Sequence, residues 1–208
     1  MTSFTQYFTD GGNFMWPILG IFFIGLGFVV ERLLFLWNGF RFDEKFASKV
    51  ADEVSSKGLE AGIQTCSEGM GPVPNLCLSA LERSDHGPEE AEKSLDNSGM
   101  IEMASMEKNM TWISFCIATA PMLGFLGTVV GMIAAFNDIK MANDISPAVV
   151  AGGISIALLT TAFGLIVAVI LQLLQNLCLY FIDIQIVSMQ KSSILILDSI
   201  KEKLRTKS

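Results

Sequence analysis

The sequence predicts an all-α membrane protein with three transmembrane helices, and three observations predict it. Residues 14–30, 111–136 and 145–182 contain no charged residue. Only 17% of the 208 residues are charged, against about 25% in an average soluble domain. Hydrophobic residues make up 51%, and the mean hydropathy is +0.50. A bilayer core takes roughly 20 apolar residues as helix. Strands are excluded because backbone groups in lipid must be paired within their own segment, and these runs are too long for barrel strands.

Residues 1–13 form the outer N-terminal segment, and the first span covers 14–37. Trp16 and Trp37 bracket it, 21 residues apart. As helix that is about 31 Å, one bilayer core with an indole at each interface. The first 31 residues hold no Lys or Arg, so the basic start of a cleavable signal is missing and the span is expected to be retained.

Residues 38–110 read as a cytoplasmic helical domain. Over 39–107 there are 14 Asp and Glu against 6 Lys and Arg, a net of −8. Pro72 and Pro74 mark a turn between helices. Pro88 with Glu89, Glu90 and Glu92 marks a helix start, where the dipole favours negative charge. Met103, Met106 and Met110 follow at helical spacing and lead into the second span, 111–136, which predicts one long stalk continuous with the membrane helix.

Residues 137–147 form an outer loop holding Asn137, Asp138, Asn143 and Asp144. A solvated turn accounts for them, and repeated copies of Asp138 and Asp144 would also concentrate cations at a pore mouth. The third span covers 148–182. Its uncharged run of 38 residues would reach about 57 Å as one helix, so its last turns are expected to leave the membrane. Residues 183–208 continue as an amphipathic C-terminal helix with Met189, Ile196, Ile200 and Leu204 near one face. Helices two and three thus both extend into the cytoplasmic domain. Of 14 Lys and Arg, only Lys140 lies between spans two and three and none precedes span one. The chain is therefore expected to be multi-pass, with its N-terminus outside and its C-terminus inside.

Composition also excludes. A pI near 4.7 and a net charge of −7 leave no basic face for nucleic acid. Cys66, Cys77, Cys116 and Cys178 form no C-x-x-C pair and read as reduced, buried thiols. The single histidine, His86, sits in a polar turn. With no carboxylate near the centre of any span and no G-x-S-x-G, the sequence offers no catalytic residue, no metal site and no cofactor, and an enzyme is not expected.

Small residues form two stripes. Gly124, Thr128, Gly131 and Ala135 lie on one face of span two, with Gly127 among them. Gly153, Ala157, Thr160 and Gly164 lie on one face of span three, beside Thr161. Such faces permit close helix approach, and the threonines can return their hydroxyls to helix carbonyls. Hydroxyls facing a narrow lumen could also hold a dehydrating cation or order a water chain. Spacing alone leaves packing and function open. Glu31 and Arg32 end span one, where pairing or snorkelling is expected, with a role in gating ion exit as the alternative. Gln172, Gln175 and Asn176 end span three, as interhelical bonding groups or as polar lining of an ion exit.

The segments APMLGFLGTVVGMIAAF (120–136) and GGISIALLTTAFGLIVAV (152–169) resemble the second- and third-span signatures of the ExbB/TolQ/MotA family. VVERLLFLW (29–37) resembles the end of its first span. With three spans rather than four, the chain is more similar to ExbB and TolQ. The resemblance implies a stator subunit of an ion-driven motor in the bacterial inner membrane, built as a homopentameric ring. A dimer of a single-span, ExbD/TolR-like protein would thread the lumen and supply an intramembrane aspartate. Thr128 and Thr161 match the lumen threonines near that aspartate. One residue departs. Many members carry a glutamate three residues after the glycine of the third-span Gly-Ile pair, and this chain has Ile156 there. No span has an ionisable residue near its centre, so the partner is expected to bring the titratable group. Thr160 and Thr161 together resemble the double threonine of sodium-driven MotA-like stators, and the ion, H+ or Na+, stays open. A non-conducting scaffold held together by the small-residue faces is the alternative.

Overall fold

A computed structural model describes residues 4–39, 44–142 and 147–207, and all regular structure among them is helical. The elements are α1 (Phe4–Asp10), α2 (Met15–Gly39), α3 (Glu44–Lys57), α4 (Leu59–Glu68), α5 (Pro72–Arg83), a 3-10 turn (Ser84–His86), α6 (Pro88–Glu107), α7 (Met110–Ala142) and α8 (Pro147–Lys207). Three stretches among the described residues are long and apolar enough to cross a membrane: Met15–Trp37, Pro88–Met141 and Val150–Lys203. The chain divides into two units, Met1–Glu31 with Asn109–Leu177, and Arg32–Lys108 with Cys178–Ser208.

The first unit is a three-helix bundle with α1 beside it. Ile18 of α2, Cys116 and Ala120 of α7, and Val167 and Leu171 of α8 form its core, with Phe22 and Leu123 packed around them. Gly25 lets α2 close on this core: a Cβ there would lie 2.7 Å from Leu171 Cδ1 and 3.2 Å from Cys116 Cβ. Phe28 stacks on Trp112 with ring centroids 6.3 Å apart. The outward faces stay apolar, with Phe23, Met122, Phe125 and Leu173 all exposed. That pattern suits a hydrocarbon solvent, where burial is not the only way to satisfy an apolar side chain.

In the second unit α3 to α6 pack with the C-terminal part of α8. Val50, Val54, Leu76, Leu81 and Leu95 are buried, as are Met189, Ile196 and Ile200 of α8. Two helix starts share one device, a glycine at positive φ followed by proline: Gly71 (φ 131) before Pro72, and Gly87 (φ 110) before Pro88. Proline at the first helical position loses no hydrogen bond. The turn expected at Pro72 and Pro74 therefore lies just before them, and both prolines sit in the first turn of α5. All four cysteines are free and buried. The Cys66 thiol accepts from that of Cys77, which lowers Cys66 from its ordinary value and, with burial, raises Cys77.

The uninterrupted stalk into span two is not what forms. α6 ends at Lys108 (φ −51, ψ 139), and Asn109 adopts φ 65 before α7 begins. Asparagine tolerates this left-handed conformation better than most residues. Its carbonyl accepts from Trp112 N and Ile113 N at 3.1 and 3.3 Å, which starts the new helix. By contrast, α7 runs on through Asp138 to Ala142, and α8 is one helix of 61 residues, about 92 Å long. On α8, Cys178, Ile182, Gln185, Met189, Ser192 and Ile196 are all buried. They alternate steps of four and three, one continuous inward stripe.

Candidate functional site

Two helices bring the predicted threonines together, because their small-residue stripes face each other inside one chain. A Cβ on Gly124 would stand 2.8 Å from the Thr160 carbonyl oxygen and 3.1 Å from Thr161 Cα. One on Gly164 would lie 2.6 Å from the Ala120 carbonyl. Further along, Gly131 faces Ala157 at 3.4 Å, and Gly153 faces Ala135 so closely that a Cβ would overlap it at 2.3 Å. Gly127 leaves room for the Thr160 hydroxyl, 2.8 Å from its Cβ position. Gly124, Gly127, Gly153 and Gly164 leave no room for a Cβ, whereas the contact at Gly131 is ordinary van der Waals packing.

At the crossing, three hydroxyls and two carbonyls converge. Thr128 Oγ1 lies 3.2 Å from the Gly124 carbonyl, 3.0 Å from the Ala157 carbonyl, and in hydrogen-bond contact with Thr161 Oγ1. Thr161 Oγ1 lies 3.2 Å from the Gly124 carbonyl. Thr160 Oγ1 donates to Ala157 O at 2.8 Å, with Gly124 O at 3.3 Å. Each hydroxyl owns one proton and has at least two acceptors in reach, so the proton pattern of the cluster can rearrange without moving a heavy atom. The cluster carries no formal charge, and oxygen-only donors are those a hard cation accepts. Thr160 is 1% exposed, whereas Thr128 and Thr161 are half-buried and reach the bundle's surface.

The other predicted positions lie apart. Ile156 is 40% exposed on α8, and its Cγ2 stands 3.6 Å from the Cβ position of Gly12. Asp138 is exposed near the end of α7. Asp144 and Asn143 lie outside the described residues. No group of three or more His, Cys, Asp or Glu among the described residues is placed to hold a metal ion.

Polar contacts that spacing could not pair appear at the other end of the helices. Gln175, buried on α8, donates to Ser114 Oγ at 2.6 Å, with the Met110 carbonyl at 3.4 Å, both on α7. Gln172 donates to Asn176 Oδ1 at 3.1 Å. Asn109 donates to Glu31 Oε2 at 3.1 Å. In the second unit, Arg32 is 2% exposed, donates to the Ser105 carbonyl at 3.0 Å and stands over the Phe35 ring at 4.8 Å. Its burial corrects the expectation that it snorkels to the interface. It satisfies one of the last four carbonyls of α6, which have no partner within that helix.

The chain matches known proteins over most of its length. The profile described as the MotA/TolQ/ExbB proton channel family matches residues 48–191. A biopolymer transport protein ExbB homologue of Methanothermobacter thermautotrophicus is 30% identical over 168 residues, covering 80% of this chain and 59% of its own length. ExbB-like protein 3 of Synechocystis is 26% identical over 169 residues, covering 80% of each chain. ExbB-like protein 1 of the same organism is 29% identical over 173 residues, covering 78% of this chain and 65% of its own. The chain thus spans about three-fifths of the length of the first of these relatives and somewhat less than two-thirds of the last.

Proposed function

The chain belongs to the MotA/TolQ/ExbB proton channel family, a channel-type rather than an enzyme family, and from that premise we propose that it is an ion-conducting subunit of a membrane motor. It sits in the cytoplasmic membrane with its N-terminus outside. Copies of it form a ring, a pentamer by family resemblance, around a dimer of an ExbD/TolR-like single-span partner. Residues 38–110 and the end of α8 lie on the cytoplasmic side. The observation that carries the reading is the uncharged cluster of Thr128, Thr160 and Thr161 with two helix carbonyls.

In this reading the ion reaches an aspartate on the partner helix, and the half-buried hydroxyls of Thr128 and Thr161 face it. The hydroxyls relay a proton by reorienting, or replace part of the water shell of a sodium ion. Thr160, buried between α7 and α8, fixes the pair rather than meeting the ion. Because the spans hold no titratable group near their centres, the switchable charge comes from the partner. Charge flow down the gradient then drives motion of partner against ring.

The decisive experiment replaces Thr161 by Val in cells and measures gradient-dependent force or transport. Loss of coupling with an intact complex supports the reading, and full activity overturns it. Varying external sodium at constant membrane potential separates Na+ from H+. Co-purification of a small single-span protein with one intramembrane Asp identifies the partner. The alternative, a non-conducting scaffold, draws on the close contacts at Gly124, Gly153 and Gly164. It requires function to persist when the gradient is collapsed.

A further inference from the structure

The second unit holds two thiols that ion conduction does not use. Cys66 on α4 and Cys77 on α5 are both buried, and the packing of the two helices brings them together. A Cβ on Gly62 would lie 3.1 Å from Leu81 Cδ1, and one on Gly69, which caps α4, would lie 2.8 Å from Pro74 Cβ. A step forward along α4 is matched by a step back along α5, so the helices run antiparallel. Cys66 is four residues after Gly62 and three before Gly69, and Cys77 is four residues before Leu81 and three after Pro74. Each interval is about one helical turn. The two cysteines therefore stand opposite each other, between two points where glycine lets the helices close. A disulfide needs Cβ atoms roughly 3.5–4.5 Å apart, and the approach at Gly69 is already closer than that.

The two thiols are not equivalent. The hydrogen bond from Cys77 lowers the Cys66 thiol from its ordinary value, against burial and the charge of Glu53, and the same bond with burial raises Cys77. The thiolate is the nucleophile, so Cys66 is the attacking sulfur. Cys66 also lies nearer to water. It is two residues from the end of α4, a helix of ten residues, and the Ser67 and Glu68 that follow it are exposed. The bond from Gly69 N to the Cys66 carbonyl at 3.1 Å closes that last turn. Helix ends open more readily than cores. Opening this turn bares Cys66, while Cys77 stays in the middle of α5.

We propose that Cys66 and Cys77 form an oxidation site, a dithiol that a small hydroperoxide converts into a disulfide stapling α4 to α5. The Cys66 thiolate attacks one oxygen of hydrogen peroxide. The O–O bond breaks, the departing hydroxide takes up a proton as water, and Cys66 becomes a sulfenic acid. The Cys77 sulfur then attacks the Cys66 sulfur. The S–S bond forms, the S–O bond breaks, and the proton of Cys77 leaves with the hydroxide as a second water. Two thiols are oxidised and one peroxide is reduced. On the cytoplasmic side, where residues 38–110 are placed above, thiols rest reduced, so the disulfide is a response to oxidant and not a permanent brace.

The test uses the full chain in native membranes. Hydrogen peroxide is added, the remaining thiols are alkylated with N-ethylmaleimide under denaturing conditions, and unreduced peptides are mapped by mass spectrometry. The expected result is a link between Cys66 and Cys77 of one chain, reversed by dithiothreitol, with Cys116 and Cys178 still alkylated. Cys77→Ser should halt at a sulfenic acid on Cys66, trapped by dimedone, and Cys66→Ser should leave Cys77 a thiol. Closing the loop 66–77 should slow amide exchange along α5 about a hundredfold. A wild-type chain that keeps both thiols under peroxide while its denatured form oxidises overturns the proposal. So does a sulfenic acid that forms first on Cys77, a link to another cysteine, or an exchange rate that the link leaves unchanged. None of these outcomes bears on the ion-conducting reading, which the Thr161→Val experiment tests separately.

Discussion

A Cβ placed on Gly124 would stand 2.8 Å from the carbonyl oxygen of Thr160, closer than real Cβ atoms come to backbone. α7 and α8 therefore touch through their main chains at the level of the threonine cluster, and Gly164 repeats the contact against the Ala120 carbonyl at 2.6 Å. Gly124→Ala or Gly164→Ala must push the helices apart, at a cost of about 1–3 kcal/mol. Gly27 has no neighbouring atom within 4 Å of its Cβ position. Gly27→Ala should be neutral, or stabilising by about 0.5–1 kcal/mol through backbone entropy. Unfolding titrations in bicelles check this contrast. Equal stability of the three variants would mean that the helices do not meet at Gly124.

Thr128 and Thr161 share a hydrogen bond across the two helices. Groups that act through one bond are not independent. Thr128→Val and Thr161→Val should each reduce gradient-driven activity, and the double variant should lose little more than either alone. The coupling energy expected for a shared contact is roughly 0.5–3 kcal/mol. Purely additive losses would show that the hydroxyls act separately.

Much of this site can be read in the residues themselves. Uncharged runs locate helices because charge in hydrocarbon is costly, and steps of three and four place Gly124, Thr128 and Gly131 on one face because a helix has 3.6 residues per turn. Those steps do not tell which face meets which. Both stripes could have faced other chains, and it is the folded chain that pairs Gly131 with Ala157 and Gly153 with Ala135. No Gly or Pro marks the interruption at Asn109, and its left-handed φ goes with tertiary contacts such as the bond to Glu31. Arg32 was hidden for a similar reason. A basic residue at a span's end usually reaches for water, whereas here the Ser105 carbonyl and the Phe35 ring hold it inside.

Arg32 closes the end of α6 through Ser105, just before the turn at Lys108. A hydrogen bond from a charged donor contributes about 1.5–3 kcal/mol. Arg32→Met should therefore loosen the last turn of α6 and open Lys108 to trypsin. Where cleavage tracks the open population, the rate should rise about tenfold or more. Arg32→Lys should behave more like Met than like wild type, because an ammonium lacks the planar face that stacks on Phe35. An unchanged cleavage rate in both variants would show that the α6 end holds without this donor.

Glu53 and Thr65 provide a pH-dependent test in the second unit. The Thr65 hydroxyl donates to Glu53 Oε2. That bond, followed by the charges of Lys57 and Lys49, holds the Glu53 carboxyl below its ordinary value. A carboxylate whose folded pKa is depressed contributes stability above its unfolded pKa, and loses it as pH falls through the folded one. Thr65→Val should thus weaken the pairing of α3 with α4 at pH 7. The difference from wild type should shrink as the pH is lowered past the Glu53 folded value, since a protonated Glu53 gains nothing from an ionic acceptor bond. Amide hydrogen exchange of α3 at neutral and acid pH reads this directly. A difference that persists unchanged at acid pH would assign the Thr65 hydroxyl to packing, with no part in holding Glu53 ionised.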